Sequence, residues 1–161
     1  MGVALAIAAA SLLAGCYTVG VVPPAGVTRI AVPFFRNDTF PFERDLEYDL
    51  TREIRTRLEQ QTDCILVSDE SNADAVLEGA VKSFREQVAA EDSLDRPTRE
   101  FILADVWVRF RGAGSNTKVF FADTWQERVA FVAGGGRDSA RGELVRRIAD
   151  RVIAYALTTW E

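Results

Sequence analysis

Two cysteines are the most reactive side chains in this chain, because its 161 residues include no histidine. Histidine is the side chain whose ordinary pKa lies between about pH 5 and 8, and it is the commonest metal ligand. Its absence excludes Ser-His-Asp and Cys-His catalysis and histidine-based zinc sites, and two sulfurs cannot form a four-thiolate metal site. Any enzyme chemistry would therefore depend on carboxylates, lysine, tyrosine or a borrowed cofactor. We predict a protein with neither a metal nor a cofactor.

The first cysteine, Cys16, directly follows an uncharged apolar run over residues 3–15. A helix of that length is too short to cross about 30 Å of hydrocarbon but is typical of a signal peptide. The run ends in Leu13-Ala14-Gly15-Cys16, which resembles the lipobox of bacterial lipoproteins. We predict a signal peptide over residues 1–15, a covalent lipid on Cys16 and an extended tether over residues 16–27. The alternative is a buried alanine-rich helix.

The remaining chemical candidates are weaker. Cys64 stands beside Ile65, Leu66 and Val67, and we expect it in the core, without a disulfide partner. Asp105 and Asp123 could face each other across a hairpin, but no convergent polar cluster accompanies them. The glycine-rich stretch from Gly112 to Lys118 leads into a strand, so it predicts a hairpin turn, whereas a phosphate loop precedes a helix. Gly134–Gly136 precedes a helix and Arg137, where an anion could dock, although a flexible connector is the favoured interpretation.

Hydrophobic periodicity predicts the elements that must position these residues. Leu46, Leu50, Ile54 and Leu58 recur every four positions and predict a helix over residues 43–61. A second broad apolar face predicts a helix over 138–160. Strands are predicted at 28–35, with Pro33 at an edge or at the strand's end, and at 64–67, 74–88, 101–111 and 118–132, with a loop over 89–98.

The strand over 101–111 has the clearest alternation in the chain. One face is uniformly apolar and consists of Ile102, Ala104, Val106, Val108 and Phe110. The other face places Phe101, Leu103 and Trp107 among charged residues, away from the face assigned to the helices. An apolar patch on a half-solvated sheet face favours binding of a partner or an acyl chain. The alternative is that strand twist or the N-terminal tether covers these three side chains.

The element order predicts an α/β fold of α+β type, a two-layer sandwich within one domain over residues 28–161. Two helices pack on one face of a mixed, mostly antiparallel sheet of four to five strands, because the first strand and helix can form a crossover while the later strands form hairpins. The net charge of −5 argues against a nucleic-acid partner, since phosphate neutralisation needs a basic face.

Several motifs together resemble the LptE family of lipopolysaccharide-assembly lipoproteins. The lipobox is followed by Tyr17, and the first strand contains Ile30-Ala-Val-Pro-Phe34, with Asn37 and Thr39 after it. The leucine-rich helix, the segment Asn72-Ala-Asp-Ala-Val-Leu-Glu-Gly79, the strand entry Arg99-Glu100-Phe101 and a last helix ending in Trp160 extend the resemblance over the mature chain.

The resemblance implies a non-enzymatic lipoprotein on the periplasmic face of the outer membrane. It implies that the protein plugs the barrel of a partner, LptD, assists its folding and receives lipopolysaccharide. It also implies that basic loop residues meet lipid A phosphates, which carried over by position are Arg96, Arg99 and Arg137. The main alternative is an envelope lipoprotein of a secretion or curli-type assembly that self-oligomerises, and a carboxylate-based hydrolase is a more distant one.

Overall fold

A computed structural model describes residues 23–116 and 118–158 of the chain, which form two helices and a six-stranded sheet. The strands are β1 (Arg29–Ala31), β2 (Arg36–Asn37), β3 (Ile65–Val67), β4 (Ala75–Glu91), β5 (Pro97–Gly112) and β6 (Val119–Val132), and the helices are α1 (Leu46–Gln61) and α2 (Arg137–Thr158). Both helices pack against one face of the sheet. The predicted two-layer sandwich is confirmed, with one strand more than expected.

The sheet is mixed, as predicted, and its strands lie in the order β3-β1-β4-β5-β6, with β2 also paired to β4. β1 runs parallel to β3 and β4, because α1 carries the chain back across the sheet between β1 and β3. β4, β5 and β6 form two consecutive antiparallel hairpins. The long strands therefore all lie on one side of β1, and β6 forms the outer edge of the sheet.

The core lies between the helices and the inner face of the sheet. The predicted apolar face of β5, from Ile102 to Phe110, is fully buried against the helices. The four predicted core residues of α1, from Leu46 to Leu58, are also fully buried. The buried face of α2 includes Leu144, Ile148, Val152 and Ala156.

Two predicted boundaries are wrong. The strand predicted over 28–35 is shorter: β1 ends at Ala31, and Pro33, which has no N–H to donate, lies in the connection to β2, which begins only at Arg36. Half of the loop predicted over 89–98 is strand, because β4 extends to Glu91 and β5 begins at Pro97, and these two residues are paired. A turn over residues 92–96 closes this hairpin.

Gly79 of β4 lets the connection between β1 and β2 lie close against that strand. The ring of Phe35 sits directly above Gly79, where a Cβ atom would overlap the ring and lie 2.6 Å from the Trp107 carbonyl oxygen. The buried Thr51 hydroxyl of α1 accepts a hydrogen bond from the Phe35 N–H at 3.0 Å and donates one to the Glu47 carbonyl. These contacts join β4, the β1–β2 connection and α1.

The helices cover only part of the long strands. The first residue of α2, Arg137, forms an ion pair with Glu86 of β4, so this helix begins at about the level of that residue. From Arg85 to Glu91 every side chain of β4 is exposed. This exposed end of β4 (85–91), together with the parts of β5 (97–103) and β6 (128–132) that lie alongside it, is called the blade below.

Some predictions concern residues outside the described ranges. The signal peptide, Cys16 and most of the tether fall within residues 1–22, and Trp160 lies beyond Thr158. Neither α1 nor α2, the two helices in the described part, has the length and apolar character needed to cross a membrane.

Candidate functional site

The outer face of the sheet, opposite the helices, combines aromatic and arginine side chains. The outward positions of β5 are Phe101, Leu103, Asp105, Trp107, Arg109 and Arg111. This placement confirms the predicted alternation, because the intervening positions are all buried in the core from Ile102 onward. The outward residues fall into two groups, one around Trp107 and one at the blade.

The charges around Trp107 are balanced. The guanidinium carbons of Arg36 and Arg109 lie 6.0 and 5.6 Å from the centre of the Trp107 ring. Arg109 forms an ion pair with Glu78 at 2.5 Å, and Arg111 pairs with the same carboxylate at 3.1 Å. The half-buried Trp107 therefore lies among arginines that already have carboxylate partners.

The group at the blade is different. The guanidinium carbon of Arg128 lies 5.4 Å from the centre of the Phe101 ring, within the range of a cation–π contact. Arg99 lies two positions before Phe101 on the same strand face. Within the part of the chain that the structure describes, neither Arg99 nor Arg128 forms an ion pair or hydrogen bond through its side chain. The outer face of the blade therefore carries positive charge without acidic partners.

Leu103 contributes less surface than the sequence suggests. It lies directly opposite Arg85 on β4 and Arg128 on β6, and only 6% of it is exposed. Because no helix covers this face, we infer that the aliphatic stems of these neighbours bury the leucine. Phe101 and Trp107 are half-buried and offer more contact area. Arg128 itself was not predicted, although its position opposite Leu103 follows once the hairpin register is known.

The three predicted loop arginines do not form one cluster. Arg96 lies in the β4–β5 turn and pairs with Asp92 at 2.7 Å, while Arg99 lies on the outer face of the blade. Arg137 lies on the helix side of the sheet, where it pairs with Glu43 at 3.3 Å and with Glu86. The hydrogen bond with Glu86 raises the pKa of Arg137 above its ordinary value. The structure thus brings Arg96 and Arg99 to the blade and separates Arg137 from them.

The possible pairing of Asp105 with Asp123 is wrong. Asp105 lies on the outer face opposite Gln126, whereas Asp123 lies opposite Val108 on the helix side. Asp105 accepts hydrogen bonds from Ser83 at 2.5 Å and Gln126 at 2.8 Å and pairs with Arg85. The bond from Ser83, with help from Gln126 and Arg85, lowers its pKa. Asp105 is therefore held as a carboxylate and is unsuited to acting as a general acid.

The other chemical candidates have structural roles. Cys64 packs against the core, and burial raises the pKa of its thiol, which makes it a poor nucleophile. Residues 113–116 follow β5 in the connection to its antiparallel neighbour β6, where a hairpin turn was predicted. Across residues 23–116 and 118–158, no three acidic or cysteine side chains are grouped closely enough to hold a metal ion.

Comparison with known families identifies the family to which this fold belongs. A sequence model described as "LptE: Lipopolysaccharide-assembly" matches residues 27–155, from just before β1 to near the end of α2. The chain belongs to the LptE family. The match spans all six strands, so the LptE resemblance predicted from the sequence is confirmed. No curated protein sequence matches the chain significantly.

Solved structures share the LptE fold at low sequence identity. Lipoprotein B from Nitrosomonas europaea is 8% identical, with a TM-score of 0.58 over 84% of each chain. Rare lipoprotein B from Shewanella oneidensis is 14% identical, with a TM-score of 0.52 over 78% of this chain and 90% of that one. A variant of PelC from Paraburkholderia phytofirmans, solved as a dodecamer, is 19% identical, with a TM-score of 0.54 over 83% of this chain and 91% of that one. At these identities the likeness concerns the fold alone.

Proposed function

We propose that this LptE-family chain is a non-enzymatic, lipid-anchored lipoprotein on the periplasmic face of the outer membrane. It binds lipopolysaccharide and forms a complex with a β-barrel partner of the LptD type. The family match supports the role in lipopolysaccharide assembly. The observation that carries the binding proposal is the exposed pair of arginines, Arg99 and Arg128, on either side of Phe101.

This group of side chains suits the chemistry of lipopolysaccharide. The lipid carries phosphates next to acyl chains, so its binding site needs cationic donors beside apolar surface. A guanidinium binds phosphate through paired donors, and Arg99 and Arg128 have no carboxylate to exchange for it within the described residues. Phe101 supplies apolar surface between them. Arg96 adds a third cation at the turn, although it must first leave Asp92.

Arg137 is a separate proposed contact, which rests on the family resemblance. Its side chain is partly exposed where α2 begins, but it already holds Glu43 and Glu86. Lipid A phosphate at this position would have to compete with two carboxylates. We therefore place the stronger site on the outer face of the blade.

A charge reversal tests the lipopolysaccharide site. Arg96→Glu combined with Arg99→Glu should abolish most lipopolysaccharide binding by the full chain while leaving its circular dichroism spectrum unchanged. Arg146→Glu combined with Arg147→Glu is the matched control, because these two α2 arginines share one carboxylate, Glu143, and lie on the helix side of the sheet and not on its outer face. Equal binding by both double variants would remove Arg96 and Arg99 from the site.

The proposed barrel-binding surface is the outer face around Phe101, Leu103 and Trp107. The native protein, extracted from membranes, should co-purify with a large outer-membrane barrel, and Trp107→Ala should reduce the yield of that complex. Phe40→Ala is the control, since Phe40 is 93% exposed in the loop between β2 and α1 and is not part of the sheet. Recovery of the protein as a free monomer, with the LptD-type barrel elsewhere, would contradict the proposal.

The proposed anchor is a lipid on Cys16, which would serve as the new N-terminus after removal of residues 1–15. Cys16→Ser should abolish incorporation of labelled palmitate and release the protein from membranes. Cys64→Ser is the matched control, because Cys64 packs against the core and should leave both properties unchanged. Palmitate incorporation that survives Cys16→Ser would contradict this assignment.

A further inference from the structure

The sheet ends at β6, a strand of fourteen residues, beyond which the described residues provide no further strand. A free edge exposes a row of backbone donors and acceptors, and proteins commonly interrupt such edges with proline, bulges or lysine. β6 contains neither proline nor glycine, and its register with β5 is regular from Phe121 to Val132. This edge is therefore suited to pairing with another strand.

The hydrogen bond from the Ala133 N–H to the Thr98 carbonyl, at 3.3 Å, fixes which backbone groups face the edge. These residues continue the register of Arg99 with Val132 by one position. Because antiparallel pairs alternate between hydrogen-bonded and non-bonded residues, the odd-numbered residues from Phe121 to Phe131 direct their backbone groups at β5. The residues that direct them at the open edge are Ala122, Thr124, Gln126, Arg128 and Ala130.

Two further observations agree with this assignment. The Thr124 N–H donates to the carboxylate of its own neighbour, Asp123, at 2.7 Å, as a donor turned away from β5 can. All five edge-facing residues are also exposed. The edge is therefore open at each position where an incoming strand would form its bonds.

We propose that β6 pairs antiparallel with β6 of a second copy of this chain, about a two-fold axis at Gln126. In this register Ala122 lies opposite the second copy's Ala130, and Thr124 lies opposite its Arg128. Each edge-facing residue meets an edge-facing residue, so the pair gains about ten backbone hydrogen bonds. On the helix side, Phe121 lies opposite the second copy's Phe131.

Charge selects this register over its neighbours. In a continuous sheet with a two-fold axis, residues on the same face lie opposite each other. Moving the axis by one residue therefore slides one β6 strand along the other by two residues. An axis at Trp125 would put Asp123 opposite the second copy's Glu127. An axis at Glu127 would put that carboxylate opposite itself. With the axis at Gln126 no two like charges are directly opposite, which favours pairing.

The two-fold axis also determines the size of the assembly. An isologous interface uses the same surface on both copies, so pairing two β6 strands occupies the β6 edge of each copy and leaves no third β6 edge to join. The product is a closed pair with one continuous sheet, which does not grow into a ring or scaffold. This proposal does not depend on lipopolysaccharide binding or on a barrel partner.

Cysteine cross-linking tests the proposed register in the full chain, with Cys16→Ser and Cys64→Ala in every variant so that the introduced cysteine is the only one. Gln126→Cys should form an intermolecular disulfide on mild oxidation, because directly opposite residues have Cα atoms about 5.5 Å apart. Thr124→Cys and Arg128→Cys are matched controls on the same edge. Each lies about 13 Å along the strand from its own copy in the pair, so the yield should fall about tenfold. Mixing the two control chains should restore cross-linking.

The cross-linking outcomes distinguish specific β6 pairing from random collision between copies and from pairing with a different protein. A dimer-sized product confined to Gln126→Cys and to the mixed controls supports the proposal. Equal yields at all three positions, no product, or a product whose mass shows a different protein would each overturn it. Circular dichroism of every variant checks the fold, because Gln126→Cys also loses a hydrogen bond to Asp105.

Discussion

The guanidinium of Arg128 lies over the ring of Phe101, on the neighbouring strand, with 5.4 Å from its carbon to the ring centre. The contact orients a cation that has no carboxylate partner among the described residues. It also joins the two kinds of surface that a phosphorylated lipid needs, a cationic donor and an apolar ring. This relationship distinguishes Arg128 from the paired arginines farther along the same sheet face.

Replacing Arg128 should weaken lipopolysaccharide binding more than it weakens the fold. Arg128→Ala should lower affinity about tenfold, equivalent to about 1.4 kcal/mol, through loss of a charge-assisted contact. The affinity of Arg128→Lys should lie between that of the unaltered protein and that of Arg128→Ala, because lysine keeps the charge but loses the paired donors. Arg109→Ala is the control, since Arg109 already pairs with Glu78 on the same face. Titration against lipopolysaccharide measures the effect, and equal losses for Arg128→Ala and Arg109→Ala would refute a specific role for Arg128.

Replacing Arg137 should weaken the fold more than it weakens lipopolysaccharide binding. Its guanidinium joins Glu43 before α1 to Glu86 on β4 and lies 5.8 Å from the centre of the Phe84 ring. The ion pairs are partly exposed, so Arg137→Ala should lower the free energy of unfolding by only about 1 kcal/mol. Denaturant unfolding measures this loss. Lipopolysaccharide affinity should fall less than in Arg128→Ala, and a larger fall would move the binding site to the helix side.

Adding a methyl group at Gly79 should strain the sheet. A Cβ atom there would overlap the Phe35 ring and approach the Trp107 carbonyl oxygen to 2.6 Å. Gly79→Ala should lower the free energy of unfolding by about 1–3 kcal/mol, the usual cost of overpacking. Gly135→Ala is the matched control, because open space surrounds the position where its Cβ would lie. Similar unfolding midpoints for the two variants would show that Phe35 moves aside freely.

The carboxylate of Asp74 should make the stability of the folded protein depend on pH. It accepts hydrogen bonds from the backbone N–H groups of Thr28 and Arg29, at 3.1 and 2.8 Å, and from both of their side chains. These bonds, first of all the one from the Arg29 guanidinium, hold the pKa of Asp74 well below its ordinary value. Because its pKa is lower in the folded state, Asp74 stabilises the protein above about pH 4, and this stabilisation is lost as the pH falls.

Thermal unfolding from pH 7 to strongly acidic conditions measures this contribution. Asp74→Asn should be less stable than the unaltered protein at pH 7, and the difference should shrink as the pH falls. Asp95→Asn is the control, since the Asp95 side chain makes no hydrogen bond or ion pair with any other described residue. A constant difference at every pH would show that Asp74 acts through its shape alone.

Local pattern was sufficient to predict most of the fold. The alternation from Ile102 to Phe110 and the four-residue spacing from Leu46 to Leu58 each arise from one buried face, and the structure buries both. β2 was missed because two residues, Arg36 and Asn37, carry no periodicity. They form a strand only because β4 lies beside them. The polar end of β4 was missed because strand pairing there depends on backbone bonds and not on side-chain burial.

The candidate site was predicted less completely, for a topological reason. The family resemblance pointed to loops, which led to Arg96, Arg99 and Arg137. Sequence position places Arg137 at the start of the last helix, but it does not reveal that Glu43 and Glu86 already hold this side chain on the helix side of the sheet. Arg128 stands inside a strand, and its proximity to Phe101 results from the hairpin register. The predicted loop arginines therefore do not include Arg128, and phosphate binding by Arg96, Arg99 and Arg137 stays a prediction.

The blade gives the protein an uneven local stability. Seven consecutive side chains of β4, from Arg85 to Glu91, are exposed, so β4 adds no side chain to the core at this end of the hairpin. Such segments open locally at a small fraction of the free energy of global unfolding. Backbone amides near the 92–96 turn should exchange with solvent deuterium faster than those beside Val106, and a ligand or partner that covers the blade should slow this exchange. The blade would then become ordered as it binds, at an entropic cost that lowers affinity and favours release.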